Sequence, residues 1–306
     1  MNVRGKKIYV GLSGGVDSAV SAALLLRAGA KVTGVFIKGW YPPGMPCTWA
    51  SERRDAMRVA ARLRIPFLTL DAGAEYKKSV IDYLLAEYRA GRTPNPDVMC
   101  NREVKFGAFH RFAKENGADA IATGHYRSGE KDQSYFLWAV PKEILNEALF
   151  PVGSLEKSDV RSLAKKFNLP VAEKKDSQGV CFLGSVSVKE FLEKELGTDN
   201  PALLYTIGQR VEGGYVVGKD VEKREIKISR TRAAGAREVF FTDANWLLDS
   251  GEADEAQYRY RGPRIRGHVE DGRFASDEAL PEVPAPGQSL VFYRSGELAG
   301  GGIIAG

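Results

Sequence analysis

Lys7-Ile8-Tyr9-Val10-Gly11-Leu12-Ser13-Gly14-Gly15-Val16-Asp17-Ser18 is the stretch that decides the fold. Its first half is a short apolar run that stops at a glycine, as a strand buried on both faces does. Apolar residues then recur at helical spacing over 17–28 and end at Gly29, a helix stop. A strand that turns through glycines directly into a helix is a ready anion site. Glycine lets the backbone approach closely, successive N–H groups converge on one point, and the helix aims its positive end there. Ser13 and Ser18 add hydroxyl donors, and Asp17 is a candidate magnesium ligand.

The pattern repeats on either side of this loop. Strands are predicted over 31–37, 66–70 and 118–123, and helices over 52–63, 74–89, 101–114 and 155–167. This alternation predicts an α/β fold with a parallel sheet covered by helices. After about residue 180 the character changes. One more helix is expected over 188–196, followed by short alternating runs at 214–217, 225–228, 237–241 and 289–293, with turn clusters at 281–286. These runs are too short for strand–helix–strand units and suit a small barrel. The expected domains are therefore 1–180 for the α/β part, 181–237 for a small linking domain and 238–306 for a C-terminal β-barrel.

Composition narrows the class. The chain has 306 residues, 43% of them apolar and 27% charged, which excludes a disordered tail, a collagen-like rod or a disulfide-stapled miniprotein. Its net charge of +5 suits an anionic partner without requiring one. Three cysteines, Cys47, Cys100 and Cys181, are too few and odd in number for a secreted framework. No apolar run reaches membrane-spanning length, so a cytoplasmic protein with no membrane partner is expected.

The loop lacks the Gly-Lys-[Ser/Thr] ending of a kinase-type P-loop and does not spell the Gly-x-Gly-x-x-Gly dinucleotide fingerprint. Ser13-Gly14-Gly15-Val16-Asp17-Ser18 instead resembles the SGGxDS loop of the PP-loop ATP pyrophosphatases, which cleave ATP to AMP and pyrophosphate while adenylating a substrate oxygen. Further segments resemble one family within that group, the tRNA-specific 2-thiouridylases (MnmA). They include Gly91-Arg92-Thr93-Pro94-Asn95-Pro96-Asp97-Val98-Met99-Cys100-Asn101, Ala122-Thr123-Gly124-His125-Tyr126, Phe150-Pro151-Val152-Gly153 and Lys175-Asp176-Ser177-Gln178-Gly179-Val180-Cys181-Phe182. The resemblance continues through Thr206-Ile207-Gly208-Gln209-Arg210, Arg259-Tyr260-Arg261, Pro286-Gly287-Gln288 and Gly300-Gly301-Gly302-Ile303-Ile304, nearly end to end. The chain is shorter than this pattern over 127–130, between Leu183 and Thr206, and after Arg210.

From the residues alone, Cys100 follows a stiff Pro-rich segment and directly precedes a predicted helix, a setting that lowers a thiol pKa. Cys181 lies in a glycine-bounded loop flanked by Lys174 and Lys175. Two such thiols can run a persulfide cycle that ends in a disulfide, and two inert core cysteines would read the same without the motifs around them. Asp97 is a candidate acid/base or orienting group. Cys47 follows a proline-rich loop and reads as structural or incidental.

The resemblance implies more. Cys181 would carry the persulfide and Cys100 would be its catalytic partner. ATP with Mg2+ would lie on Gly11, Leu12, Ser13, Gly14, Gly15, Val16, Asp17 and Ser18, approached by Ile37 and Gly124. Asn95, Pro96 and Asp97 would meet the target base, and His125, Lys131, Asp132, Gln133, Arg259, Tyr260 and Gln288 would contact tRNA. The partners implied are a wobble-uridine tRNA and a persulfide sulfur-carrier protein or cysteine desulfurase. His125 could equally be a loop histidine near ATP, and the basic run through Arg264-Ile265-Arg266 a solvated strand face. Two other functions stay open at this stage: another PP-loop ligase that needs neither cysteine, and a non-catalytic tRNA-binding protein with a redox-sensing cysteine pair.

Overall fold

A computed structural model describes residues 2–42, 49–175 and 187–306. The chain forms two compact units, one of Met1–Lys78 with Cys100–Ser185, the other of Ser79–Met99 with Val186–Gly306.

The first unit is built on a parallel sheet of β1 (Lys7–Gly11), β2 (Lys31–Lys38), β3 (Phe67–Asp71) and β4 (Ala120–Ala122), in the order β3-β2-β1-β4. Ile8, Val10, Val32 and Val35 on the two central strands are buried, as is Ile121 on β4. Helices α1 (Val16–Arg27) and α2 (Trp49–Leu63) follow β1 and β2. α1 is buried almost all round: Val16, Ser18, Ala19, Val20, Ser21, Ala22, Ala23 and Leu25 are all buried. Its small residues let it lie between the sheet and the Lys157–Lys166 helix, whose Val160 and Ala164 belong to the same core. That packing carries distant side chains to the start of α1.

The second unit ends in a closed six-stranded barrel of β8 (Glu238–Trp246), β9 (Glu255–Gln257), β10 (Ile265–Glu270), β11 (Arg273–Ser276), β12 (Ser289–Arg294) and β13 (Glu297–Ile304). Closure removes exposed sheet edges. Phe274, Leu290, Phe292, Ala299 and Ile304 fill it, with Trp246 stacked on Phe292 at a ring separation of 5.0 Å. Ahead of the barrel lies an antiparallel sheet of β5 (Arg210–Val211), β6 (Gly214–Asp220) and β7 (Glu225–Ser229). The Asp82–Arg89 helix packs on the Val188–Leu196 and Pro201–Leu204 helices, burying Leu84, Leu85 and Tyr88. The Tyr88 hydroxyl is bonded to Thr206, and burial pushes its pKa up to about 12.

The expected parallel sheet and terminal barrel are both present. The differences lie in the details. Helical structure begins at Pro96 rather than at 101, because proline fits the first turn of a helix, where its missing N–H is not needed. The residues after Cys100 form a π-helical stretch, Cys100–Ala108, before α-helix resumes at Phe109–Glu115. A second π-helical stretch, Lys77–Ile81, interrupts the helix expected over 74–89. The Lys142–Glu147 helix and strands β9 and β11 have too few residues for periodicity to show in the sequence.

Candidate active site

The loop from Leu12 to Gly15 is held open by its own side chains. Ser13 Oγ accepts from the Gly15 amide at 3.3 Å, and Ser18 Oγ accepts from the Ser13 amide at 3.2 Å while donating to the Gly15 carbonyl at 3.2 Å. Gly15 is the residue before α1 and offers no side chain to cap it, so the helix presents its first N–H groups to an incoming anion. Two glycines here have no substitute. Gly14 has φ +76°, and a Cβ there would lie 2.4 Å from the Glu52 carbonyl oxygen. A Cβ on Gly124, just past β4, would lie 2.8 Å from the Ser18 amide nitrogen. Gly124 is thus pressed against the first turn of α1, and Ile37 approaches Gly11 at the other edge, 4.0 Å from where its Cβ would be. The fold thus brings Ile37 to Gly11 and Gly124 to Asp17 and Ser18 at the two edges of the loop.

Asp17 is held by two side chains from distant parts of the sequence. Lys157 Nζ lies 2.7 and 2.8 Å from its two carboxylate oxygens, and the Tyr126 hydroxyl donates to Oδ1 at 2.6 Å. Among the described residues, no group of three or more His, Cys, Asp or Glu side chains gathers as a metal cage. Among the described residues Asp17 is thus held in an ion pair rather than in a cluster of ligating side chains, and a magnesium ion here would take most of its ligands from phosphate and water. Neither Lys157 nor Tyr126 was given a role on sequence grounds. Lys157 lies 140 positions from Asp17, and only the packing of its helix on α1 joins them. A second lysine, Lys174, donates to the Gly14 carbonyl at 3.1 Å and pairs with Asp55 at 2.7 Å.

His125 stands beside Gly124 with its Nδ1 2.9 Å from Thr123 Oγ1 and its ring 5.5 Å from that of Phe106. Burial, reinforced by the nearby positive charge of Lys105, pushes its pKa down to about 3. The imidazole is therefore neutral at physiological pH and offers a hydrogen bond rather than a charge. Gln133 uses its side-chain oxygen on the Tyr126 amide at 3.1 Å, and Asp132 accepts from the Ser134 amide at 2.8 Å. Both brace the shortened turn after Tyr126, and Lys131 lies half-buried beside them.

Cys100 is buried. It follows one helical turn, Pro96–Met99, which corrects the expected helix N-terminus: the positive end falls at Pro96 and Asp97, and its effect fades within a turn. Asp97 occupies that first turn, where a carboxylate is electrostatically favoured. Next to Cys100, the Asn101 side-chain amide donates to the Phe136 carbonyl at 2.9 Å. Cys181 and Cys47 lie outside the described residues.

In the second unit, Gln288 donates from Nε2 to the carbonyls of Thr93 at 2.9 Å and Pro94 at 3.3 Å, and the Thr93 amide donates to Pro286 at 2.8 Å. The backbone leading into Asn95, Pro96 and Asp97 is therefore fastened to the barrel. Arg259 and Tyr260 lie in the turn between β9 and β10, while Ile265 and Arg266 lie in β10. Arg259 pairs with Glu282 at 2.9 Å and donates to the Ile207 carbonyl at 3.2 Å, and Glu282, whose side chain is 8% exposed, also pairs with Arg232 at 2.9 Å. Its guanidinium is committed to this cluster.

Comparison with known proteins adds a consistent result. A family model described as the tRNA methyl transferase HUP domain matches residues 6–185. A tRNA-specific 2-thiouridylase of Akkermansia muciniphila is 39% identical over 351 aligned positions, covering 97% of this chain and 98% of its own. A 2-thiouridylase of Streptococcus thermophilus is 37% identical, with 97% and 95% coverage, and one of Geobacillus thermodenitrificans is 38% identical, with 97% and 94%. Alignments longer than the chain itself mean that these relatives carry insertions it lacks.

Proposed function

The chain belongs to the tRNA-specific 2-thiouridylase family, and from that premise we propose that it is an ATP-dependent tRNA sulfurtransferase that replaces the C2 oxygen of the wobble uridine with sulfur. The observation that carries this reading is the uncapped start of α1 beneath Ser13, Gly14 and Gly15, beside the Asp17–Lys157 pair.

On this reading, Gly11 to Ser18, with Ile37 and Gly124, bind ATP. The uracil C2 oxygen attacks the α-phosphorus, the bond to the β-phosphate breaks, and pyrophosphate departs. The amide-like oxygen has become part of an AMP leaving group. The loop amides, Ser13 and Ser18 stabilise the charge that builds on the departing phosphates. A sulfur-carrier protein or cysteine desulfurase loads Cys181 with a persulfide. The Cys100 thiolate attacks the Cys181 Sγ, forming a Cys100–Cys181 disulfide and releasing the terminal sulfur as hydrosulfide. Two electrons pass from the two thiols to that sulfur. Hydrosulfide adds at C2, AMP leaves, and loss of the sulfur-bound proton gives 2-thiouridine. An external dithiol reduces the disulfide for the next turnover.

Asn95, Pro96 and Asp97 present the base-contacting segment, with Asp97 orienting the base or moving its proton. Gln288 holds that segment, while Gln133 and Arg259 brace their own turns. His125, Lys131, Asp132 and Tyr260 are the remaining RNA contacts in this reading. Among the described residues no cluster of three or more ligating side chains would hold magnesium by itself, so it would enter bound to the ATP phosphates. Among the described residues no helix is long and apolar enough to cross a membrane, in keeping with action in the cytoplasm, where tRNA is found. We propose 1–180, 181–237 and 238–306 as a functional division, one that the packing of Ser79–Met99 within the second unit crosses.

Mass spectrometry of nucleosides tests the reaction. Unmodified wobble-uridine tRNA incubated with the protein, ATP, magnesium, a persulfide donor and a dithiol should gain 2-thiouridine. Cys100→Ser and Cys181→Ser should each abolish that gain, while wild-type protein that turns over no ATP and thiolates nothing overturns the assignment.

A further inference from the structure

The phosphate loop contains no lysine, and the cations at its mouth arrive from elsewhere in the chain: Lys174 is turned to the Gly14 carbonyl and Asp55, while Lys157 is turned to Asp17 at the start of α1. Lys157 is the first residue of its helix, its side chain is 16% exposed, and its ammonium bridges both oxygens of Asp17 at 2.7 and 2.8 Å. Asp17 itself lies in the first turn of α1, so its negative charge stands at the helix start, where an anion would bind. A carboxylate there repels the ligand unless a cation offsets it. The Tyr126 hydroxyl on Oδ1 fixes the carboxylate, and Lys157 Nζ also lies 5.8 Å over the Tyr126 ring. The ammonium is therefore held at the helix start on a short tether, through two hydrogen-bonded contacts and one ring.

We propose that Lys157 is the phosphate-binding lysine of this site, poised by Asp17 and Tyr126 to engage the pyrophosphate end of ATP. Departure of pyrophosphate concentrates negative charge on that end. An ammonium beside it, already desolvated by its partners, stabilises the charge without having to be gathered from solvent. Asp17 acts through Lys157 as a positioning residue. The inference rests on the ATP-dependent reading above, and its test separates the two.

Binding of ATP, AMP and inorganic pyrophosphate is measured by calorimetry on the wild type, Lys157→Met, Lys157→Arg, Asp17→Asn and the Asp17→Asn/Lys157→Met double variant. The expected result is that Lys157→Met weakens ATP and pyrophosphate by about tenfold or more, in line with loss of a charge-assisted hydrogen bond, and leaves AMP unchanged. Lys157→Arg should keep ATP binding within a few-fold. The double variant decides between two roles. If Lys157 only neutralises Asp17, removing both charges restores ATP binding; if it binds phosphate, the double variant stays as weak as Lys157→Met. Restoration, or an equal loss for ATP and AMP, overturns the inference. Should Lys157→Met fail to fold, Lys157→Arg and Asp17→Asn carry the test, and tight AMP binding with lost pyrophosphate binding in Asp17→Asn supports the positioning role. Wild-type protein that binds no ATP overturns the proposed function itself.

Discussion

Gln288 and Thr93, 195 positions apart in sequence, are joined by a 2.9 Å hydrogen bond from the glutamine amide to the threonine carbonyl, and the same amide nitrogen reaches the Pro94 carbonyl at 3.3 Å. The side chain spends its donors on backbone rather than on a ligand. Gln288→Ala should therefore loosen the Asn95–Asp97 segment: thiolation falls by about tenfold while ATP binding is unchanged, and stability drops by about 1 kcal/mol, the worth of an ordinary hydrogen bond. Single-turnover thiolation with a parallel urea titration checks both parts. A residue that only touched tRNA would leave the urea midpoint where it was.

Arg259 makes a matching case in the turn between β9 and β10. Its partner Glu282 is nearly inaccessible and shares Arg232. Arg259→Ala should destabilise the protein by about 1–3 kcal/mol, because a charge-assisted contact to a buried carboxylate is lost. The salt dependence of tRNA binding should stay the same, whereas loss of a phosphate-contacting arginine would lower its slope by about one. Thermal melts and binding titrations across a salt series read the two effects separately.

His125 couples stability to pH. Its folded pKa, pushed down to about 3, lies below the unfolded value of 6.5, so the folded protein favours the neutral ring. Protons are taken up on unfolding between those values, and stability from this residue is full above pH 6.5 and is lost as pH falls through the window towards 3. His125→Gln should flatten that loss. Urea titrations at about pH 7 and about pH 4.5 should show a smaller difference for the variant than for the wild type.

Gly14→Ala should be more damaging than its size suggests. The residue sits at φ +76°, and a methyl group would come within 2.4 Å of the Glu52 carbonyl oxygen, which is rigid backbone. A cost of about 1–3 kcal/mol from the strained conformation alone is expected, with loss of ATP binding because the loop must move away from α2. Gly5→Ala, also at positive φ (+77°) but with nothing within 4 Å, should show only the conformational part of that cost.

The contrast between these sites explains what could be read from the sequence. The Gly11–Ser18 loop is contiguous, and strand, turn and helix each leave a local signature, so its strand–loop–helix geometry is legible in the sequence. The Asp17–Lys157–Tyr126 contacts were not, because they depend on α1 being smooth enough to lie against a helix 140 positions away. Cys100 was misplaced for a local reason. Pro96 reads as a stiff loop residue, although proline at the start of a helix is equally at home. Arg259 reads as an open cation in a basic run, and only the folded chain reveals that Glu282, from a turn cluster 23 positions later, neutralises it. The barrel was visible as a class through its alternating segments, whereas β9, with three residues, has no period to detect.

The order of synthesis gives the interleaved course of the chain a further consequence. The second unit takes its first stretch from Ser79–Met99 and the remainder from Val186–Gly306, so about ninety residues separate the two on the ribosome. At ordinary elongation rates that is a wait of roughly 4–18 s. During it, the Asp82–Arg89 helix has been made but the Val188–Leu196 and Pro201–Leu204 helices that cover it have not. Leu84, Leu85 and Tyr88, buried in the finished protein, stay unsatisfied through that interval. A nascent chain stalled near residue 185 therefore carries an uncovered apolar helix, a natural point of engagement for chaperones.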